Sequence, residues 1–178
     1  MNKKVLLISA SPRRNGNSDI LCDEFMLGAK DAGNEVEKLF LGDKKINYCS
    51  GCYACEKNGI CVQKDDMKEI LQKMIDSDVI VMATSVYFYT MDGQMKTLID
   101  RTVARYTEIN NKDFYFIATS AVNSKELIER TFDGFRGFTS CLNGAKEKGI
   151  IYGVGAWQKG EIKETKAMKE SYEMGKSV

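Results

Sequence analysis

Short apolar runs recur along this chain, and the segments between them repeat their apolar residues at helical spacing. Lys4–Ala10 is an apolar run of buried-strand length, Asp78–Thr84 (DVIVMAT) reads as a strand buried on both faces, and Phe114–Ser120 (FYFIATS) and Gly149–Val154 as further strands. Glu35–Leu41 alternates apolar and charged residues, the pattern of a strand with one wet face. Asn17–Ala32 carries Ile20, Leu21, Phe25, Met26 and Leu27 on a helical period and stops at Gly33. Asp66–Ile75, Met91–Ala104, parts of Ser124–Lys148 and Glu161–Met174 complete the helices. Strands that alternate with helices require right-handed crossovers, and these cover both faces of a parallel sheet. The expected fold is therefore an α/β three-layer sandwich of the flavodoxin-like type, with a five-stranded parallel sheet of order 2-1-3-4-5. Ligands of such a sheet sit beyond the carboxyl ends of its strands, at the switch point between strands 1 and 3.

Length and composition narrow the function. The 178 residues suit a single domain, spanning 1–178, with no repeat, linker or low-complexity tract. Acids and bases are interspersed and sum to +1, which favours neither a nucleic acid nor a membrane surface as partner. The apolar run in MNKKVLLISA ends too soon for a secretory signal, and no other stretch is long enough to span a bilayer, so the expected location is cytoplasmic. Histidine is absent. No imidazole base, Ser-His or Cys-His pair, or His-ligated metal can operate here.

The turn from Ser9 to Ser18 (SASPRRNGNS) joins the first strand to the first helix. Its hydroxyls, amides and unpaired helix N–H groups suit a phosphate monoester, and Gly16 permits close backbone approach. Asn17 or Ser18 serving merely as a helix cap is the plainer alternative. Neither GxGxxG nor GxxxxGK[ST] follows the strand, which disfavours a dinucleotide Rossmann site or a P-loop.

The pattern S-x-S-P-R-x-x-G-N-S in this position resembles the NADPH-dependent FMN reductase branch of the flavodoxin superfamily. The resemblance implies phosphate contacts from Ser9, Ser11, Arg13, Asn17 and Ser18. After the third strand, Thr84, Ser85, Val86, Tyr87, Phe88 and Tyr89 resemble the family segment that frames the isoalloxazine ring, with Val86 where the family usually has proline. Aromatic side chains suit a flat apolar ring, although packing beneath a loop or in a dimer contact would also use them. Lys96, Asp100 and Arg101 on the next helix read as structural or interface residues. Thr119, Ser120 and Ala121 follow the fourth strand, where the family closes over the flavin; they also suit a plain strand end. Gly153–Ile162 matches the family's last strand-to-helix turn, with Trp157 expected to be partly buried against the final helix, covering a neighbouring subunit's site being the alternative.

Between the second strand and the next helix lies an insertion of about 24 residues, Gly42 to Asp65, long enough that function or anchoring is expected. It holds Cys49-x2-Cys52-x2-Cys55-x5-Cys61. Clustered cysteines in a reducing compartment point to a metal or redox site, and thiolates at x2 spacing can wrap a cubane cluster. Zinc and uncomplexed thiols or disulfides are the alternatives. The spacing resembles the iron–sulfur flavoproteins, a subgroup of the same family. That resemblance implies a [4Fe–4S] cluster held by Cys49, Cys52, Cys55 and Cys61. Cys22 and Cys141 read as small apolar residues packed in helices.

The resemblance as a whole implies an FMN-dependent oxidoreductase that passes electrons between FMN, a cluster and a ferredoxin-type carrier or small acceptor. NAD(P)H is a possible transient donor, and a homodimer or homotetramer the expected assembly. The alternatives are an NAD(P)H-dependent FMN or quinone reductase without a cluster, and a non-enzymatic redox carrier or sensor.

Overall fold

A computed structural model describes residues 2–178. Its elements in chain order are β1 (Lys4–Ser9), α1 (Asn17–Asp31), β2 (Glu35–Phe40), α2 (Met67–Asp76), β3 (Val79–Tyr87), β4 (Thr90–Met91), α3 (Gly93–Arg101), β5 (Asp113–Thr119), α4 (Lys125–Thr139), β6 (Lys146–Gly153) and α5 (Ala167–Lys176). Five strands run parallel in the order β2-β1-β3-β5-β6, which is the flavodoxin-like order expected. A sixth strand, β4, was not foreseen. It pairs antiparallel with the end of β3 through Val86–Met91 and Tyr87–Thr90.

The strand period of two sorts the core into two layers. On one face Val5 and Leu7 of β1, Val79 and Val81 of β3 and Ile117 of β5 pack with Leu21 and Phe25 of α1. On the other, Leu6, Ile8, Ile80, Met82 and Phe116 pack with Ile70 of α2, Leu98 of α3 and Phe132 and Phe135 of α4. The rings of Phe116 and Phe135 stack with centroids 4.8 Å apart. Helices α1 and α5 share the first face and approach closely. A Cβ on Gly28 would stand 2.1 Å from the carbonyl oxygen of Tyr172.

Element ends moved where no apolar pattern marks them. α3 begins at Gly93 because the Asp92 side chain caps it, accepting the Met95 N–H at 2.9 Å. α4 stops at Thr139, and β6 starts earlier than expected, at exposed Lys146 and Glu147, where ladder pairing extends the strand without burial. Cys141 is exposed, beyond the end of α4, so it is not packed as expected; Cys22 is fully buried. Trp157 is 70% exposed, because the α5 face offers its apolar residues to α1 instead.

Parallel register brings the strand ends to one edge. Ser9 of β1 pairs with Phe40 of β2 and Ala83 of β3, Ser85 with Thr119 of β5, and Thr119 with Gly153 of β6. Every loop singled out in the sequence therefore leaves the sheet on the same side.

Candidate functional site

The turn after β1 is held from below. Ser9 is fully buried and its hydroxyl donates to Asp19 at 2.7 Å, while the Asn15 N–H donates to the other Asp19 oxygen at 2.8 Å. Burial alone would raise the Asp19 pKa, but Lys38, Ser9 and the Asn15 N–H hydrogen-bond its carboxylate and hold it below the ordinary value. The charged form therefore pins the turn. Asn15 itself is left-handed, with φ 53°. Gly16 is required by space: a Cβ there would lie 2.4 Å from Ser11 Oγ and 2.8 Å from the Arg13 carbonyl.

Gly16 is the N-cap of α1 and has no side chain with which to cap it. The first backbone N–H groups of α1, from Asn17 onward, thus face the turn with no intrahelical partner, at the positive end of the dipole. Ser11 lines this turn, its hydroxyl donating to the Arg13 carbonyl at 2.8 Å, and Arg13 is exposed. Arg14 pairs with Asp43 and lies over the Phe40 ring at 4.5 Å.

Asn17 has a different task from the one expected of its side chain. Its amide donates to the carbonyls of Ala156 (3.1 Å) and Gln158 (2.9 Å) and accepts from the Gly160 N–H at 2.9 Å. The amide is used up in fastening the segment after β6 to the start of α1. Only its backbone N–H remains for a ligand.

Ser18 Oγ lies 3.2 Å from Ser85 Oγ, which joins the turn after β1 to the end of β3. There Tyr87–Phe88–Tyr89–Thr90 makes a two-residue hairpin into β4. Phe88 (φ 48°) and Tyr89 (φ 64°) are both left-handed, as a type I′ turn demands, although such turns normally use Asn and Gly. Bulky side chains in this region are strained by about 1–2 kcal/mol per residue. Phe88 is 97% exposed, so no packing within the chain accounts for it. Asp92 sits buried beneath the hairpin within hydrogen-bond reach of Thr84 Oγ1 (3.1 Å) and Ser85 N–H (3.4 Å). Burial pushes its pKa up to about 6 against the bonds from Met95 N–H, Thr84 and Ser85.

Thr119 and Ser120 are buried, Ser120 Oγ donates to the Val122 carbonyl at 2.8 Å, and Ala121 is exposed at the rim.

The cysteine loop leaves β2 at the same edge and contains only short 3-10 turns, Leu41–Asp43 and Ala54–Lys57. Cys49, Cys52, Cys55 and Cys61 are all free thiols and all line one hollow of about 910 Å³, together with Arg101, Ala104 and Tyr106. Among the described residues no three Cys, Asp or Glu side chains converge on a single metal position. The donor set is nevertheless purely thiol, the hollow is roomy, and the buried Nε of Arg101 beside it has no hydrogen-bond partner. Sulfur ligands and an unanswered N–H donor both fit an anionic iron–sulfur cluster.

Arg101 and Asp65 form an ion pair at 2.7 Å with both side chains almost wholly buried. Hydrogen bonding to Arg101 holds the Asp65 pKa down to about 2 despite desolvation. Asp19, Asp65 and Asp92 were not anticipated as organisers of the site. Only Asp92 left a signal: an Asp directly before Gly93 and three residues ahead of Met95 is an N-cap pattern.

Residues 3–138 match the NADPH-dependent FMN reductase family, and the chain belongs to that family. Among curated proteins, an iron-sulfur flavoprotein of Archaeoglobus fulgidus is 43% identical over 98 residues, covering 55% of this chain and 44% of its own length. An iron-sulfur flavoprotein of Methanocaldococcus jannaschii is 41% identical over 99 residues, covering 56% and 51%. A second such A. fulgidus protein is 38% identical over 124 residues, covering 68% and 61%. The chain thus spans about half the length of the curated relatives it matches. An azoreductase of Bacillus anthracis superimposes over the full length of both chains with a TM-score of 0.77 at 16% identity, a likeness of fold. No helix among the described residues is long and apolar enough to cross a membrane.

Proposed function

We propose that this chain is a single FMN-binding domain with a cysteine-rich insertion, acting as an FMN-dependent oxidoreductase of the iron–sulfur flavoprotein type. The observation that carries the flavin reading is the meeting of two segments at one edge: the polar turn of Ser9–Ser18 and the aromatic hairpin of Thr84–Tyr89, joined through Ser18 and Ser85. The α1 N–H groups and Ser11, with Arg13 at the rim, would grip the FMN phosphate. Thr84, Ser85 and Val86 would border the ring and Tyr87, Phe88 and Tyr89 would cover it, with Thr119, Ser120 and Ala121 at its far side. Ser9 and Asn17 serve this site by fixing the turn. Cys49, Cys52, Cys55 and Cys61 would hold a [4Fe–4S] cluster. Bound FMN supplies hydride and single-electron chemistry, and the cluster single-electron transfer to a ferredoxin-type carrier or small acceptor; the protein orients both and excludes water. NAD(P)H is the candidate donor, a homodimer or homotetramer the candidate assembly, and the cytoplasm the candidate location.

A second reading is an NAD(P)H-dependent FMN or quinone reductase with no cluster. It is favoured by the failure of the four thiols to converge. Protein purified without oxygen decides between them. The first reading expects flavin bands plus a broad shoulder bleached by dithionite, with about four irons and four sulfides per chain. Flavin bands without iron leave the second, and colourless protein that ignores added FMN removes both. Steady-state NAD(P)H oxidation with an added acceptor distinguishes an enzyme from a passive carrier.

A further inference from the structure

We infer that Arg101 is the positioning residue of the cysteine loop: it ties the two ends of the Asn47–Asp65 segment together and orients Cys61 toward the hollow shared with the other three thiols. This rests on the cluster reading given above.

The loop has little to hold itself in shape. It lacks strand and α-helix, Cys49 and Cys52 are exposed, and its few internal backbone bonds, such as Gly59 N–H to the Cys55 carbonyl at 2.8 Å, are local. At the loop's mouth Lys45 N–H donates to Asp66 Oδ2 at 2.6 Å, Asp66 N–H donates to the Lys45 carbonyl at 3.0 Å, and within it Gln63 Nε2 donates to the Tyr48 carbonyl at 3.0 Å; among the described residues one side chain from outside adds to these, the Arg101 guanidinium. Arg101 Nη1 donates to the Asn47 carbonyl and to Asp65 Oδ2, both at 2.7 Å; Nη2 donates to Asp65 Oδ1 at 3.0 Å and to Cys61 Sγ at 3.5 Å. Asp65 in turn accepts the N–H groups of Asn47 (3.0 Å) and Met67 (3.2 Å), which closes the segment on the start of α2.

Arg101 can do this because its base is rigid. It is the last residue of α3, whose Met95 and Leu98 are fully buried. A planar fork with several donors can serve a carboxylate, a carbonyl and a sulfur at once, which a lysine ammonium cannot match in geometry. One donor is left over. Nε is buried without a protein partner, an arrangement that natural structures seldom tolerate unless a ligand or solvent answers it. The Arg101 side chain lines the hollow that Cys61 borders, and the bond from Nη2 to Cys61 sulfur would draw electron density from that ligand and raise the cluster's potential.

The test compares wild type with Arg101→Lys and Asp65→Asn, each as the full chain purified without oxygen. Iron, sulfide and FMN are counted per chain, the cluster potential is read by EPR-monitored titration, and the cysteines are mapped by iodoacetamide alkylation after iron is chelated. Arg101→Lys is expected to keep wild-type FMN content but less than half the iron and sulfide. The remaining cluster should have a more negative potential, and Cys61 should be alkylated at least tenfold faster with Cys49 unchanged. Asp65→Asn should move the same readouts in the same direction by a smaller factor. Wild-type iron, potential and Cys61 reactivity in both variants would overturn the assignment. Iron-free wild type would overturn the cluster reading instead, and the Cys61 alkylation rates would then judge the clamp alone, an unchanged rate in both variants overturning it.

Discussion

The turn after β1 and the loop after β2 leave neighbouring strands at the same edge, yet they are built in opposite ways. The turn is short and pressed against a helix start, with Ser9 and Asn15 held from beneath by Asp19 and Asn17 tied to the segment after β6. The cysteine loop is long, nearly without regular structure, and fastened at its ends by the Arg101–Asp65 pair. A phosphate site is most effective when its donors are fixed before the ligand arrives. A cluster site can instead gain its final order from the bonds made to metal. On the proposed function, one edge would combine a turn ordered in advance with a loop completed on loading.

Asp65→Ala strikes the second region hardest. It leaves the Arg101 charge buried and unpaired, a change that typically removes about 3–5 kcal/mol. Chemical denaturation should register that loss, and if the two regions are independent in binding, FMN affinity of the protein that remains folded should be unchanged. A fall in FMN affinity would break the comparison.

Gly16→Ala is the matching blow to the first region. The new Cβ forces Ser11 and Arg13 apart, and FMN affinity should drop about 100-fold, equivalent to about 2.7 kcal/mol, with iron content kept. Fluorescence titration of the metal-loaded protein reads it.

Two buried acids, Asp92 beneath the hairpin after β3 and Asp65 in the cysteine loop, titrate with opposite sign. Asp92, raised by burial from 3.8 to about 6, is protonated more readily in the folded chain. The folded state binds the extra proton between these values, so stability falls as pH rises from about 4 to 6, by roughly 3 kcal/mol for this group, and is level above that. Asp65, lowered to about 2, adds stability that is complete above its unfolded value of 3.8 and is lost as pH falls toward 2, about 2 kcal/mol in all. Unfolding free energies of wild type, Asp92→Asn and Asp65→Asn against pH should show the first slope vanish in one variant and the second in the other.

The smallest effect belongs to the hairpin. Replacing Phe88 with Asn and Tyr89 with Gly relieves two left-handed aromatic residues at about 1 kcal/mol each, and should stabilise the fold by about 2 kcal/mol. The same change removes the proposed ring cover, so flavin-dependent NAD(P)H oxidation should slow while melting temperature rises. Unchanged turnover would mean the aromatics serve something other than the flavin.

Much of this was legible in the sequence, and for identifiable reasons. Strands such as Val79–Ala83 are buried on both faces and advertise themselves as apolar runs, so the parallel sheet followed from alternation and its order from the doubly wound sandwich that this succession suits. The polar turn and the cysteine spacing are local patterns that survive without coordinates. The roles of Asn17, Asp65 and Arg101 depend on partners far away in sequence, Asp65 lying 36 residues from Arg101 and Asn17 139 from Ala156, and no local pattern encodes such pairings. Two-residue β4 is invisible because its turn uses Phe and Tyr, where the hairpin signal is Asn-Gly.

Stripping the protein of flavin and titrating it separately with FMN and riboflavin tests the phosphate grip most directly, since the two ligands differ only in the group that the turn after β1 would hold. FMN should bind one per chain and at least 100-fold more tightly than riboflavin, with that preference lost in Gly16→Ala. Equal affinities for the two ligands, or no saturable binding of FMN, would contradict the assignment.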